Sequence, residues 1–451
     1  MSTITDKQTD NNQQQKISRK DFVKASSLAA GGLMVGSLPF SGRAQQAGAA
    51  TLKVALVGCG GRGTGAARQA LSTGEGVQLV AMADAFRDRL DDSFETLTNV
   101  FAEEAPEKIN VPEEHKFTGF DGYREAIGLA DVVILATPPG FRPYHFEAAI
   151  DAGKHVFMEK PLATDAPGVR KVLEVGERAD QKGLNVVVGL QRHYQNSYRE
   201  AIQRIDDGAV GDILSGQVYW NSAGVWVRPR EPHQNEMEYQ MRNWYYFVWL
   251  CGDHIMEQHI HNIDVANWFI GEYPSSAQGM GGREVRTGRE HGQIFDHHFV
   301  EFTYPSGAVV ASQCRHQPDT MNRVAEFFQA TGGTIDTSGD RAVLKSRDGQ
   351  TLYEHNADED PNPYQQEHNE LFAAIRNGEQ INDTENGAKS TLTALMGRMA
   401  TYSGKVIGWE EALNSELSVM PEEFSWEAAP PVVPDESGFY PVPVPGQTEV
   451  L

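Results

Sequence analysis

The run GDHIMEQHIHNID, Gly252 to Asp264, packs His254, His259, His261 and Glu257 into eight residues. Imidazoles titrate near neutrality and also bind metals, and a carboxylate beside them can relay a proton or join a coordination sphere. Three readings fit the residue types: a metal site, a proton-transfer site, or the polar face of an ordinary helix. His254, Glu257 and His261, at i, i+3 and i+7, would share one face of a continuous helix. Metal sites, however, usually draw ligands from separate elements, and H-x-x-E-x-H-x-H lacks the fixed H-E-x-x-H pattern. No metal is assigned, and the choice rests on what the chain builds around the cluster.

The nearest organising signal lies far upstream. TLKVALVG, Thr51 to Gly58, reads as a buried strand ending in GCGGRG, where Gly58, Gly60 and Gly63 make G-x-G-x-x-G. These glycines allow a tight turn, close backbone approach to a pyrophosphate, and packing of the next helix, expected over about Thr64–Ser72. A second strand, Val77 to Asp84, ends in an acid that can hold ribose hydroxyls and would repel a 2′-phosphate. NAD is therefore favoured over NADP, with Arg87 and Arg89 nearby weakening the preference. A third strand, Asp131 to Pro139, should bring Thr137 and Pro138 near the nicotinamide. The strand Gly153 to Pro161 ends in Glu159-Lys160-Pro161. Gly61, Arg62, His145, Glu159 and Lys160 complete the expected cofactor-binding set.

Between these elements and the cluster lies an aromatic stretch, Tyr219 to Leu250, with Trp220, Trp226, Trp244, Trp249, Arg228, Arg230, Arg242 and Asn243. Flat rings with polar neighbours suit sugars, whose C–H faces stack on aromatic faces. Arg242 and Trp244, nearest the cluster in sequence, are the expected substrate contacts, and Arg192 and His259 are added to them.

VALVGCGGRG, ATPP, AAIDAGKHVFMEKPLA, GLQRHYQNSYREAIQRIDDGAVGDI and HNIDVANWFIG together resemble the glucose–fructose oxidoreductase, inositol dehydrogenase and rhizopine-catabolism family (Gfo/Idh/MocA). The resemblance covers about residues 51 to 415. It implies an α/β fold: an N-terminal Rossmann dinucleotide-binding domain plus an α/β domain with a large, mostly antiparallel open sheet. It aligns His261–Asp264 with the end of the family's D-x-G-x-H-x-x-D, placing Glu257 at the first acid and His259 at the glycine. Glu257 and His261 would then stand one helical turn apart. His261 is the implied base, Glu257 its orienting or relaying partner, and Lys160 the cation beside the reacting oxygen. The implied activity is NAD(P)-dependent oxidation or reduction of a secondary hydroxyl on a sugar, glycoside or cyclitol, with a tightly bound, recycled cofactor. The alternatives are a glycosidase working by transient oxidation and elimination, and a non-catalytic sugar- or partner-binding relative.

Composition sets outer bounds. The 451 residues are 40% hydrophobic and 22% charged, with net charge −23, which argues against nucleic acid and anionic membranes as partners. Three cysteines offer no disulfide framework. Residues 1–49 read as a signal peptide: SRKDFVK, Ser18 to Lys24, resembles a twin-arginine signal with Lys20 in place of the second arginine, and a short apolar run follows. A periplasmic or otherwise exported protein is expected, without permanent membrane insertion. The expected units are 50–184 (Rossmann), 185–365 (substrate and oligomerisation), 366–415 (C-terminal helices packing back on the core) and 416–451 (a proline-rich extended tail). A homo-oligomer is expected.

Overall fold

The computed structural model describes residues 51–451; the signal-like segment lies outside the described residues. The first half alternates strand and helix: β1 (Leu52–Val57), α1 (Gly61–Leu71), β2 (Val77–Asp84), α2 (Arg87–Phe101), β3 (Lys116–Thr118), α3 (Gly122–Leu129), β4 (Val132–Leu135), α4 (Arg142–Asp151), β5 (His155–Met158), α5 (Ala166–Gln181) and β6 (Val186–Val188). Every pairing is parallel, in the order β3-β2-β1-β4-β5-β6. Such a sheet is covered on both faces, so its strands read as nearly unbroken apolar runs. Along β1 and β4 successive side chains enter different cores: Val54, Leu56, Val132 and Ile134 one, Ala55, Val57, Val133 and Leu135 the other. The strand order reverses between β1 and β4, and a crevice opens at the carboxyl ends of those strands.

Two details differ from the sequence reading. Helix α1 begins at Gly61, so glycine-rich backbone forms its first turn. Strand β6 belongs to the first sheet, which therefore runs past residue 185, where the second unit was expected to begin.

After α6 (Asn196–Asp206) the chain enters a nine-stranded sheet: β7 (Ile213–Ser222), β8 (Ser276–Gly282), β9 (His297–Thr303), β10 (Val309–His316), β11 (Arg323–Ala330), β12 (Gly333–Ser338), β13 (Arg341–Ser346), β14 (Thr351–Glu354) and a late β15 (Ile407–Gly408). The order is β14-β13-β12-β11-β7-β10-β9-β8-β15, antiparallel except where β7 meets β10. Between β7 and β8 run α7 (Glu236–Arg242), α8 (Val248–Cys251), α9 (His254–Glu257) and α10 (Ile260–Ile270).

Helix α11 (Pro363–Asn377) returns to α1, and α12 (Thr384–Ser403) lies against α5, α10 and β8. Because α12 is covered on nearly every side, it is built from Ala, Gly, Ser, Thr, Leu and Met and lacks a polar stripe. Beyond α13 (Trp409–Leu413) the tail carries neither helix nor strand. It is tied along its own chain by Arg170 to the Leu413 and Ser415 carbonyls, Asp165 to Ser418 and Val419, Gln240 to the Val432 carbonyl, and Gly446 to the Ser403 carbonyl. Among the described residues no helix is long and apolar enough to cross a membrane.

Candidate active site

A cavity of about 350 Å³ fills the crevice at the β1–β4 switch. Gly58, Gly60, Gly61, Arg62, Gly63, Asp84, Thr137, Pro138 and His145 all line it. The glycines do different work. Gly58 has φ +97, and a Cβ there would lie 2.5 Å from the Ala136–Thr137 backbone. A Cβ on Gly63 would sit 1.9 Å from the Gly58 carbonyl oxygen, so this glycine lets α1 pack on β1. At Gly60 and Gly61 an added Cβ would meet nothing within 4 Å, leaving bare backbone facing open space at a helix N-terminus. That is a cradle for a pyrophosphate, so these residues fit a dinucleotide. Asp84, at the end of β2, is fixed by the Cys59 amide at 2.7 Å and the Phe86 amide at 2.9 Å. Burial raises its carboxyl, against these two hydrogen bonds.

At the other end of the cleft His145 receives or gives a hydrogen bond with the Thr137 hydroxyl at 3.1 Å and packs on Tyr123. Burial, then Arg142 and Arg124, lowers its imidazole to about 3, so it is neutral. Glu159 does not line the cavity: it sits behind Arg62 and pairs with it, while Arg62 also reaches Glu367 at 3.2 Å.

Lys160 follows directly and meets Glu257 twice, at its backbone carbonyl (2.5 Å) and its carboxylate (3.3 Å). The carbonyl contact has a local cause. The chain between Asp253 and Ile270 is two helices, not one: α9 stops at Glu257, and the His261 amide bonds back to the Gln258 carbonyl at 3.4 Å. The Glu257 carbonyl is thereby freed, as at any helix end, and the lysine satisfies it. Burial raises the Glu257 carboxyl, with Lys160 opposing. His261 is 6% exposed, lies 6.0 Å from the Trp220 ring in a stacked arrangement, and has no hydrogen-bond partner at Nδ1. Burial first, then the charges of Lys160, Arg192, His259 and Arg62, holds its imidazole well below the ordinary value. It is a neutral base beside a lysine.

Several sequence expectations are corrected here. The single helical face carrying His254, Glu257 and His261 does not form, because the chain breaks at Gln258–His259. His259 turns away from the cleft, wholly buried, with Nε2 on the Ser312 hydroxyl of β10 at 2.8 Å. Arg192 is also buried: it pairs with Glu326, which further accepts from Tyr198, Thr337 and Asn262, and so ties α6, α10, β11 and β12 together. Its guanidinium is committed to a carboxylate that would otherwise be an unpaired buried charge. Arg242 does line the cavity, whereas Lys160, Glu257 and His261 lie outside its lining. Arg242 forms two bonds to Asp88, at 2.7 and 3.0 Å, and covers the Phe86 ring at 3.9 Å, beside the acid of β2. Trp244 lines the cavity against Trp226.

Sequence reasoning missed the roof. Phe86, Phe120, Tyr123, Phe141 and Met241 join the lining, and Trp426 of the tail packs on two of them, 4.6 Å from Phe120 and 5.3 Å from Phe86. Trp226, Arg228 and Trp244 reach across from the second sheet's side. The aromatic stretch signalled these latter residues. Nothing local signalled Trp426, whose partners lie some 300 residues away.

Residues 52–190 match the model of the Gfo/Idh/MocA oxidoreductase family with its NAD-binding Rossmann fold, and residues 198–328 match the Gfo/Idh/MocA C-terminal domain. The chain belongs to this family. It is 29% identical over 262 residues to inositol 2-dehydrogenase 3 of Saccharopolyspora erythraea, covering 57% of this chain and 64% of that one. It is likewise 29% identical over 245 residues to inositol 2-dehydrogenase of Burkholderia cenocepacia, covering 53% and 61%. The chain thus spans less than two thirds of these relatives. The fold matches aldose-aldose oxidoreductase of Caulobacter crescentus (TM-score 0.62, 20% identity, 79% of this chain and 99% of that one). It also matches scyllo-inositol dehydrogenase of Lactobacillus casei with bound NAD(H) and scyllo-inositol (TM-score 0.59, 19% identity, 80% and 99%).

Proposed function

We propose that the protein is an NAD-dependent oxidoreductase that oxidises or reduces a secondary hydroxyl of a sugar, glycoside or cyclitol. The observation that carries this reading is the gathering of Lys160, Glu257 and the neutral His261 just past the end of β5, in the sheet whose β1 carries the glycine cradle. Bound NAD would supply the hydride acceptor; the chain must handle the proton. His261 accepts it, since a neutral imidazole has the free lone pair a general base needs. Lys160 has three N–H donors and spends two on Glu257, leaving one for the reacting oxygen. The unpartnered buried nitrogens Trp220 Nε1 and His261 Nδ1 suit a substrate rich in hydroxyls. Relatives named for inositol support a cyclitol or sugar, and a structural neighbour named aldose-aldose oxidoreductase supports oxidation of one sugar coupled to reduction of another.

Tight retention of the cofactor is part of the proposal. Trp226 and Trp244 in the lining, with Phe86 and Phe120 backed by Trp426, favour a nucleotide that stays through many turnovers. The purified protein, denatured, should release stoichiometric NAD; protein that neither carries nor binds NAD would defeat the reading. A glycoside and cyclitol panel read by mass spectrometry should show loss of two hydrogens from one class. The signal-like Ser18–Lys24 supports export, which cell fractionation of the wild type against Arg19→Gln tests.

A further inference from the structure

A second polar knot lies next to the first in sequence but faces the other way. Asp253, His254 and His298 are fully buried, and one donor atom from each lies within 4.8 Å of the others. His298 comes from β9, so the donors now span separate elements, as metal sites usually do. The His254 ring is 4.8 Å from that of His298 and 4.5 Å from that of His316.

The hydrogen bonds fix where the lone pairs point. The Thr401 hydroxyl donates to the carbonyls of its own helix, Gly397 or Arg398, so it accepts at 2.9 Å from His298 Nδ1. His298 therefore carries a proton on Nδ1, and its Nε2, 3.4 Å from Asp253 Oδ1, has no hydrogen-bond partner. His254 Nδ1 is 2.8 Å from the same oxygen, and its Nε2 has no partner either. A carboxylate oxygen and an unpartnered imidazole nitrogen held 3.4 Å apart in a dry interior are stabilised by a cation between them. The other Asp253 oxygen is held by the Tyr402 hydroxyl at 2.5 Å and the Phe295 amide at 3.0 Å, the kind of outer support that orients metal ligands.

We infer that Asp253, His254 and His298 bind a divalent first-row cation as a structural site that pins the turn before Glu257 to β9. Two imidazoles and a carboxylate suit zinc rather than magnesium or calcium. The site lies in the interior rather than at the cleft, so its role is to hold α9 in place, distinct from the proton chemistry at His261.

The test uses full-length holoprotein produced in zinc-supplemented medium and purified without metal-affinity resin. Mass spectrometry of the metal content should find zinc near one ion per chain in the wild type and in a His259→Gln control. Asp253→Asn and His298→Leu should lose it. Wild type produced with cobalt should show visible ligand-field absorption, a readout independent of whether any variant folds. Wild type carrying neither zinc nor cobalt above trace levels would overturn the inference, leaving a proton as the bridging cation. Equal zinc in the His298 variant would overturn it as well.

Discussion

Two buried polar knots leave the same short segment for different partners. Asp253 and His254 turn into the second sheet and meet His298, all three without solvent exposure. Glu257 and His261, a few residues on, turn toward Lys160 beside the nucleotide cleft. The divergence is made by backbone. Gly252 and Asp253 both take positive φ, +77 and +82, and the helix breaks again after Glu257. Left-handed conformation at an aspartate is uncommon, and a local side-chain bond helps it: the Asp253 carboxylate accepts from the His254 amide at 2.5 Å. The lesson is that a dense histidine motif need not be one site. One knot joins the segment to β9, and the other sets Glu257 and His261 near Lys160.

The contrast predicts that substitutions in the two knots fail differently. His261→Asn should lower kcat/KM by about 10³-fold, the range for a lost general base, with little change in thermal midpoint. Loss of stability with normal specific activity would place His261 in the structural knot instead. Asp253→Ala should do the reverse. It strands the buried Tyr402 hydroxyl and the Phe295 amide and should cost about 3 kcal/mol by denaturant unfolding. Retained NAD in the folded fraction would confirm that the cleft is independent of this carboxylate.

Glu257→Gln sits between the two. It keeps the backbone carbonyl for Lys160 and removes the side chain's charge and titration, so kcat should fall about tenfold. Because burial raises the Glu257 carboxyl, the acid limb of the wild-type pH profile should lie above the ordinary carboxylate range and vanish in this variant. An unchanged limb would assign it elsewhere.

The smallest effect concerns a histidine in neither knot. His368 is fully buried, packs 4.1 Å from Phe157, and has no hydrogen-bond partner at either nitrogen. Burial, then Arg62, holds it well below the ordinary imidazole value. Below a pH of about 6.5 the unfolded chain takes up a proton there that the native chain does not, so this group costs stability as pH falls. His368→Leu should raise stability by about 1 kcal/mol at neutral pH and weaken the loss on acidification. Melting curves at neutral and mildly acidic pH give both numbers; a destabilised variant would mean that the imidazole has a partner.

What could be read from the sequence follows how local each cause is. The glycine cradle, Asp84 and Thr137–Pro138 were legible, because turn geometry and strand ends are set by neighbours in the chain. Lys160 and His261 came through family resemblance, and the structure brings them to one place. Arg192 and His259 were misplaced because their partners, Glu326 and Ser312, are chosen by long-range packing, while Arg242 lines the cavity as expected but is tied to Asp88. The continuous helical face failed for a related reason: the Glu257 carbonyl is met by Lys160, nearly a hundred residues upstream, rather than by an amide of a continuing helix. The packing of Trp426 on Phe120 had no local signature at all.

The most direct measurement is the reduction of bound cofactor in a single turnover. Wild-type holoprotein mixed with the sugar or cyclitol selected from the panel should show the near-ultraviolet absorbance of reduced nicotinamide rise. Lys160→Met, with the same NAD content, should show that rise slowed by about 10²- to 10³-fold, since a donor aimed at the reacting oxygen is gone. Equal rates in the two proteins would contradict the account of the site.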